Sequence, residues 1–179
     1  MSKKIAIIGV DPGVKGAFCL ICPETRQTAF KPTTLPAREL YLWLRRIANE
    51  YNLAVCMIEN VGAIAGSAAK ATFAFGSNVE RVNIIPEIAE IPVDKVRPKA
   101  WQKYVGLVVP KRLTGSENAS KRKSFIKTEV AAIAKRLYPS AEIHGPKGGL
   151  LDGRSDALMI AHYAARTLNI TLLTEGNIE

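Results

Sequence analysis

"KIAIIGVDPGVKGAFCLI", residues 4–21, decides how the rest of the chain is read. Two apolar, β-branched-rich runs, 4–10 and 15–22, flank a Pro-Gly turn, which makes them a pair of antiparallel strands. A third short run, 26–30, extends the meander. The chain therefore opens on a hairpin rather than on a strand–helix–strand unit. At the exit of the first strand stands one carboxylate, Asp11, with Gly13 and Gly16 beside it. A buried acid is costly unless it is paired, protonated or bound to a cation. Taken alone, Asp11 reads equally well as the residue that opens a Pro-Gly turn.

Outward from this hairpin, Leu40, Trp43, Leu44 and Ile47 recur at helical spacing between Pro36 and Glu50. "LAVCMI", 53–58, is a short buried strand ending at Glu59. "GSAAKATFAFGSNVE" reads as a helix rich in small residues, and "VNIIP", 82–86, as a fifth strand. A short helix is expected over 98–104, a polar loop over 111–120 and a helix over 120–137. Phe125, Ile126, Val130, Ile133 and Leu137 lie on the inner face of that helix, and Pro139 closes it. "HGPKGGLLDGRSD" is a glycine-rich loop before a last helix, 155–168. This order predicts an α/β protein: a mixed five-stranded sheet, an antiparallel meander plus parallel strands, with helices on both faces. Residues 1–169 form one domain and 170–179 a tail without a clear signal.

At 179 residues the chain suits a single core. No apolar stretch approaches the roughly 18 residues of a membrane span, so no membrane partner is expected. No cleavable signal peptide follows the basic start, and a cytoplasmic protein is expected, in the host cytoplasm if the gene is carried by a phage. Cys19, Cys22 and Cys56 make no disulfide framework. The first two form a C-x-x-C within a strand, where they face opposite sides, and they read as small buried residues. The net charge is +9, with a pI near 9.6. From Lys95 to Arg136 there are twelve lysines and arginines against two acids, which accounts for the whole excess. Such clustering points to a polyanionic partner, nucleic acid before an anionic membrane, about as strongly as to a solvated helical face.

Acids recur where burial disfavours them: Asp11 after "IAIIGV", Glu59 after "LAVCMI", and Asp152 and Asp156 around the start of the last helix. Asp11 and Glu59 share one rim if their strands are neighbours. Asp152 and Asp156, four apart, stand on one helical face and can join them. Each has a plainer reading: a turn residue at 11, an ion pair at 59, a helix cap at 152 and a favourable dipole position at 156. Four carboxylates without a nearby His or Cys are hard ligands that suit Mg²⁺, with Mn²⁺ as a substitute. Together with a basic surface they fit two-metal phosphodiester hydrolysis.

"IIGVDPG" followed by a hairpin, "IEN" after a strand, and "DGRSDALMIAHYAAR" near the end resemble the RuvC family of Holliday junction resolvases, of RNase H-like fold, and in particular its bacteriophage-type branch. The resemblance covers about residues 4 to 168, with its specific motifs in about twenty-five positions. It implies a homodimeric, Mg²⁺-dependent endonuclease that cuts Holliday junctions symmetrically and leaves 5′-phosphates and 3′-hydroxyls. Asp11, Glu59 and Asp156 match the family's first, second and last metal-binding acids. Two positions depart from its pattern. The third acid of the bacterial members falls at Gly153, with Asp152 one residue earlier. Their base-stacking aromatic falls at Gly62, which implies looser selectivity among branched DNAs, including forks and flaps. Phe73 or Phe75 could substitute for that aromatic, although core packing is the simpler role for both.

Lys121, Arg122 and Lys123 are expected DNA contacts, Lys121 by its resemblance to family lysines that hold the scissile strand. Lys99 and Lys103, flanking Trp101, are also expected to contact DNA. His162 reads as structural. Two other readings are an actin-like or sugar-kinase-type ATPase, which shares an Asp-x-Gly hairpin, and a junction-binding protein without catalysis.

Overall fold

The computed structural model describes residues 2–62 and 69–170. The start of the small-residue stretch and the tail beyond 170 lie outside the described residues. Five strands, β1 (Ile5–Val10), β2 (Ala17–Ile21), β3 (Thr28–Pro32), β4 (Asn52–Glu59) and β5 (Val93–Val96), form one sheet in the order β3-β2-β1-β4-β5. The first three are antiparallel neighbours, whereas β4 runs parallel to both β1 and β5. The expected mixed five-stranded sheet is present.

Helices α1 (Ala37–Glu50) and α2 (Ala69–Ile88) cover one face of the sheet. Helices α3 (Pro98–Tyr104), α4 (Ala119–Leu137) and α5 (Asp152–Thr167) cover the other. Alternation along the strands assigns each side chain. Ala6, Ile8, Val10, Phe18 and Leu20 meet Leu40, Leu44 and Ile85 on the first face. Ile7, Cys19, Ile21 and Met57 meet Val130, Leu158 and Ala161 on the second. All three cysteines are free and buried. Among the described residues no helix is long and apolar enough to cross a membrane.

The segment "VNIIP" is not a strand. It is the last part of α2, where Val82 and Ile85, and Ala89 just beyond its end, are buried at helical intervals while Ile84 is exposed. A short apolar run does not itself separate strand from helix. Pro86 lies inside α2, two residues before its end, and its missing N–H deprives the Val82 carbonyl of its helical donor. The fifth strand is instead "VDKV", a half-polar edge strand, and exposed edges commonly carry charge. The last helix also begins three residues earlier than expected, at Asp152.

Candidate active site

Strand parity aims the first two acids. Gly9 stands two residues before Asp11, and a Cβ placed on Gly9 would lie 2.2 Å from the carbonyl oxygen of Ala157 and 2.3 Å from the amide of Ala161. The position of Asp11 therefore belongs to the face against which α5 lies. Glu59, two residues beyond the core side chain of Met57, belongs to the same face. Val10 pairs with Ile58 in the parallel register, so the next step along both strands sets Asp11 beside Glu59, about 4.8 Å apart in backbone. The close approach at Gly9 brings the start of α5, and with it Asp156, to the same rim.

A second contact fixes that approach. Gly16, in the β1–β2 turn, bridges to Gly153 in the first turn of α5. A Cβ on Gly153 would stand 2.2 Å from the carbonyl oxygen of Lys15, and one on Gly16 would stand 2.0 Å from that of Asp11. The clearance at Gly16 serves the hairpin itself. No side chain fits at 153 in this arrangement, and Asp152 carries the neighbouring acid. Asp152 does not cap the helix, since Leu151 holds the capping position. Its carboxylate is ion-paired with Lys127 of α4.

The turn that carries Asp11 is pinned from two further elements. The Asp11 Oδ1 accepts the Gly13 amide at 2.9 Å, so turn geometry orients the carboxylate instead of competing with its placement in the rim. The buried Thr33 hydroxyl donates to Gly13 O at 2.7 Å. From α2, Asn78 donates its side-chain amide to Pro12 O at 2.8 Å. Arg81 in turn donates to Asn78 Oδ1 at 2.8 Å and to Leu35 O at 2.6 Å. On the opposite side, Glu59 Oε1 accepts the indole N–H of Trp101 at 2.7 Å.

These acids are desolvated and feel one another. Burial raises the Asp11 carboxyl, with Asp152 adding to the rise while the Gly13 amide and Lys127 oppose it. Burial lifts Glu59 to about 7, against the Trp101 hydrogen bond and with help from Asp11. Asp156 is held well above the carboxylate range by burial and then by Asp11, Glu59 and Asp152, with Lys127 the opposing charge. Its Oδ1 is fully buried and has no hydrogen-bond partner. Such a group lacks either a proton donor or a cation.

An oxygen-only donor set with one orphaned oxygen fits a hard divalent ion. Among the described residues no three of the acids close around a single ion as they stand. They form a rim joined through its electric field rather than a finished cage.

No family model matches the chain, and no curated protein matches it. Among solved structures it is similar to Thermus thermophilus RuvC in complex with Holliday junction substrate, at 16% identity over 90% of this chain and 96% of that one, with a TM-score of 0.57. The chain has the RuvC fold. Another structure of Thermus thermophilus RuvC gives 17% identity, the same coverage and a TM-score of 0.53. The yeast mitochondrial Holliday junction resolvase matches at 15% identity over 96% of this chain and 83% of that one, with a TM-score of 0.40.

Around the acid rim of this RuvC fold the cations differ in role. Lys99, Lys103, Lys121 and Lys123 are exposed, as are Arg97 and Lys147. The Arg122 guanidinium instead donates to Leu113 O at 3.1 Å and to Thr114 O at 3.0 Å, holding the turn before α4. Lys127, absent from the sequence expectations, is the half-buried cation at the rim. Its signal was available: it stands three and four residues before Val130 and Ala131, on the buried face of α4. Trp101, read only as flanked by cations, is buried and bonded to Glu59. Phe73 is 78% exposed, so its expected core role is wrong, and Phe75 is half-buried. His162 contacts the Tyr138 hydroxyl through Nδ1 at 3.0 Å and is lowered to about 4 by burial, which fits a structural residue.

Proposed function

We propose that the protein is a divalent-metal-dependent endonuclease that cuts four-way DNA junctions and other branched DNA, leaving 5′-phosphate and 3′-hydroxyl ends. The carrying observation is the orphaned Oδ1 of Asp156 beside Asp11 and Glu59 at adjacent strand ends of a RuvC fold. Asp11, Glu59 and Asp156 would hold the ions, with Asp152 the fourth ligand once Lys127 yields it. Bound Mg²⁺ or Mn²⁺ would lower the pKa of an attacking water and stabilise the leaving oxygen.

The remaining work belongs to the chain itself. The rim, raised by burial, takes up cations in place of protons. The Gly13 amide and the Trp101 indole each hold one oxygen of a ligand, leaving the other free. Lys127 offsets negative charge gathering at the rim, as a positioned ammonium does for a phosphoryl group. Lys99, Lys103, Lys121 and Lys123 contact phosphates, which positions DNA without reading its sequence. Arg122 contributes by shaping the loop beside them.

Two symmetric cuts need two sites, which makes a homodimer the working form. Support comes from α2, whose Phe73, Ile84 and Ile88 are 78%, 52% and 60% exposed, an apolar presentation that suits a partner surface.

The test is a labelled four-way junction incubated with Mg²⁺, Mn²⁺ or EDTA, beside fork, flap and duplex controls. Metal-dependent nicks at symmetric positions, resealed by ligase, are expected. Binding without nicking in either metal would overturn the nuclease reading, and ATP turnover would favour the kinase-like alternative. Sedimentation at micromolar concentration, with and without junction, tests the dimer.

A further inference from the structure

We propose that Trp101 is a positioning residue for Glu59, holding Oε1 through its indole N–H so that Oε2 is the oxygen left for a metal ion. This rests on the reading of the acid rim given above and names what orients its second ligand.

Trp101 is 1% exposed and belongs to the core cluster that includes Met57, Val96 and Leu158. A buried indole N–H requires an acceptor, and here it is the carboxylate at 2.7 Å. The two partners are joined by a short, stiff path. Glu59 pairs with Val96 at the end of β5, and α3 starts two residues later at Pro98. Donor and acceptor thus hang from neighbouring strands, and core packing fixes the ring. A glutamate side chain otherwise loses considerable rotamer freedom when it is ordered.

The indole also differs from the partner of Asp152. It can donate but not accept, and it carries no charge. It therefore orders Glu59 without adding a cation that an incoming metal must displace, as Lys127 does at Asp152. Partners of this kind commonly tune metal affinity as strongly as they orient the ligand.

The chain has two tryptophans. Trp43 lies in the opposite core cluster, edge-on to Phe18 at 6.3 Å. In a Trp43→Phe protein the emission therefore reports Trp101 alone. Titration with Mn²⁺ should change that emission saturably, EDTA should reverse it, and Glu59→Gln should remove the change. Free Mn²⁺, followed by electron paramagnetic resonance, gives affinities for Trp101→Phe, Glu59→Gln and the double variant. Trp101→Phe should weaken Mn²⁺ binding about tenfold, and the same substitution should have no further effect in the Glu59→Gln background. A merely structural tryptophan would cause equal losses in both backgrounds, following the fall in melting temperature.

Equal losses, or unchanged affinity in Trp101→Phe, overturn the proposal. If Trp101→Phe does not fold, the emission experiment stands by itself, and a change that survives Glu59→Gln, or no change at saturating Mn²⁺, overturns it. Junction cleavage measured in parallel separates the two readings. Coupled Mn²⁺ binding without cleavage sinks the nuclease reading and upholds this one. Normal cleavage without the coupling sinks this one alone.

Discussion

The two faces of the sheet are built from the same strands, yet they differ in what they tolerate. Against α1 and α2 the core cluster is apolar and holds no acid, and Trp43 packs on Phe18 as one more hydrophobic surface. Against α3, α4 and α5 the interior is also an apolar cluster, but at the carboxyl ends of β1 and β4 it admits three desolvated acids. One tryptophan fills space, and the other supplies a hydrogen bond to an acid. The chemistry sits where a helix lies so close to a strand that only glycine fits between them, at Gly9. Close packing here is the means of gathering charge.

Substitutions that strike one face and spare the other should break this contrast or sharpen it. The largest effect is expected from Asp156→Asn, which removes the orphaned carboxylate while keeping its volume. Cleavage of a four-way junction should fall by about 1000-fold, or about 4 kcal/mol of activation, without loss of junction affinity in a gel-shift assay. Wild-type cleavage by this variant would refute the assignment of the rim.

Next comes Gly153→Asp, which places an acid where the RuvC resemblance has one. Because Cβ has no room against Lys15 and Gly16, it should cost about 2 kcal/mol or more of stability. That cost would appear as a lowered melting temperature together with loss of cleavage. A stable, active variant would show that the bridge between the hairpin and α5 yields easily.

The pH dependence of stability should also set the acid rim apart from the rest of its face. Glu59 rises from an ordinary value of 4.5 to about 7, so between those values the folded chain holds more protons than the unfolded one. Without divalent ions this acid destabilises the fold progressively as pH rises through 7. His162, lowered from 6.5 to about 4, acts in the opposite sense and destabilises as pH falls below 6.5. Glu59→Gln removes only the first contribution. In EDTA the variant should exceed the parent by about 1 to 3 kcal/mol at pH 8, with the gain vanishing near pH 4.5. Thermal unfolding across that range checks the sign, and a gain that grows toward low pH would refute it.

The smallest effects belong to single surface cations and to the other face. Lys99→Ala or Lys103→Ala should each reduce the salt slope of junction binding by about one unit. Trp43→Phe should leave both cleavage and that slope unchanged.

Much of this arrangement is legible in the residues themselves. β-Branched runs and a Pro-Gly turn specify the hairpin, and the parity of Asp11 and Glu59 follows from strand alternation. What eludes sequence reading has physical causes. Val93–Val96 carries two charges because it is an edge strand, whereas Val82–Pro86, more apolar, is buried along only one side of a helix. Asp152 and Gly153 look like loop residues because the close contact that makes glycine necessary is with the β1–β2 turn, more than a hundred residues away in the chain. Lys127 hides among more conspicuous cations at 121–123. The role of Trp101 is invisible, because nothing local distinguishes an indole that donates to an acid from one that only fills space.

The docking of α5 against Gly9 and Gly16 bears on when the protein acquires its chemistry during synthesis. In chain order Asp11 and Glu59 both precede Asp156 and the helix that seals their face, Asp11 by the longer stretch. At roughly 5 to 20 residues per second, the hairpin spends several seconds without the element that completes the rim. A nascent or truncated chain lacking α5 thus lacks Asp152 and Asp156 together with the cover of that face of the sheet. By this ordering, the acid rim is assembled only once α5 has been made.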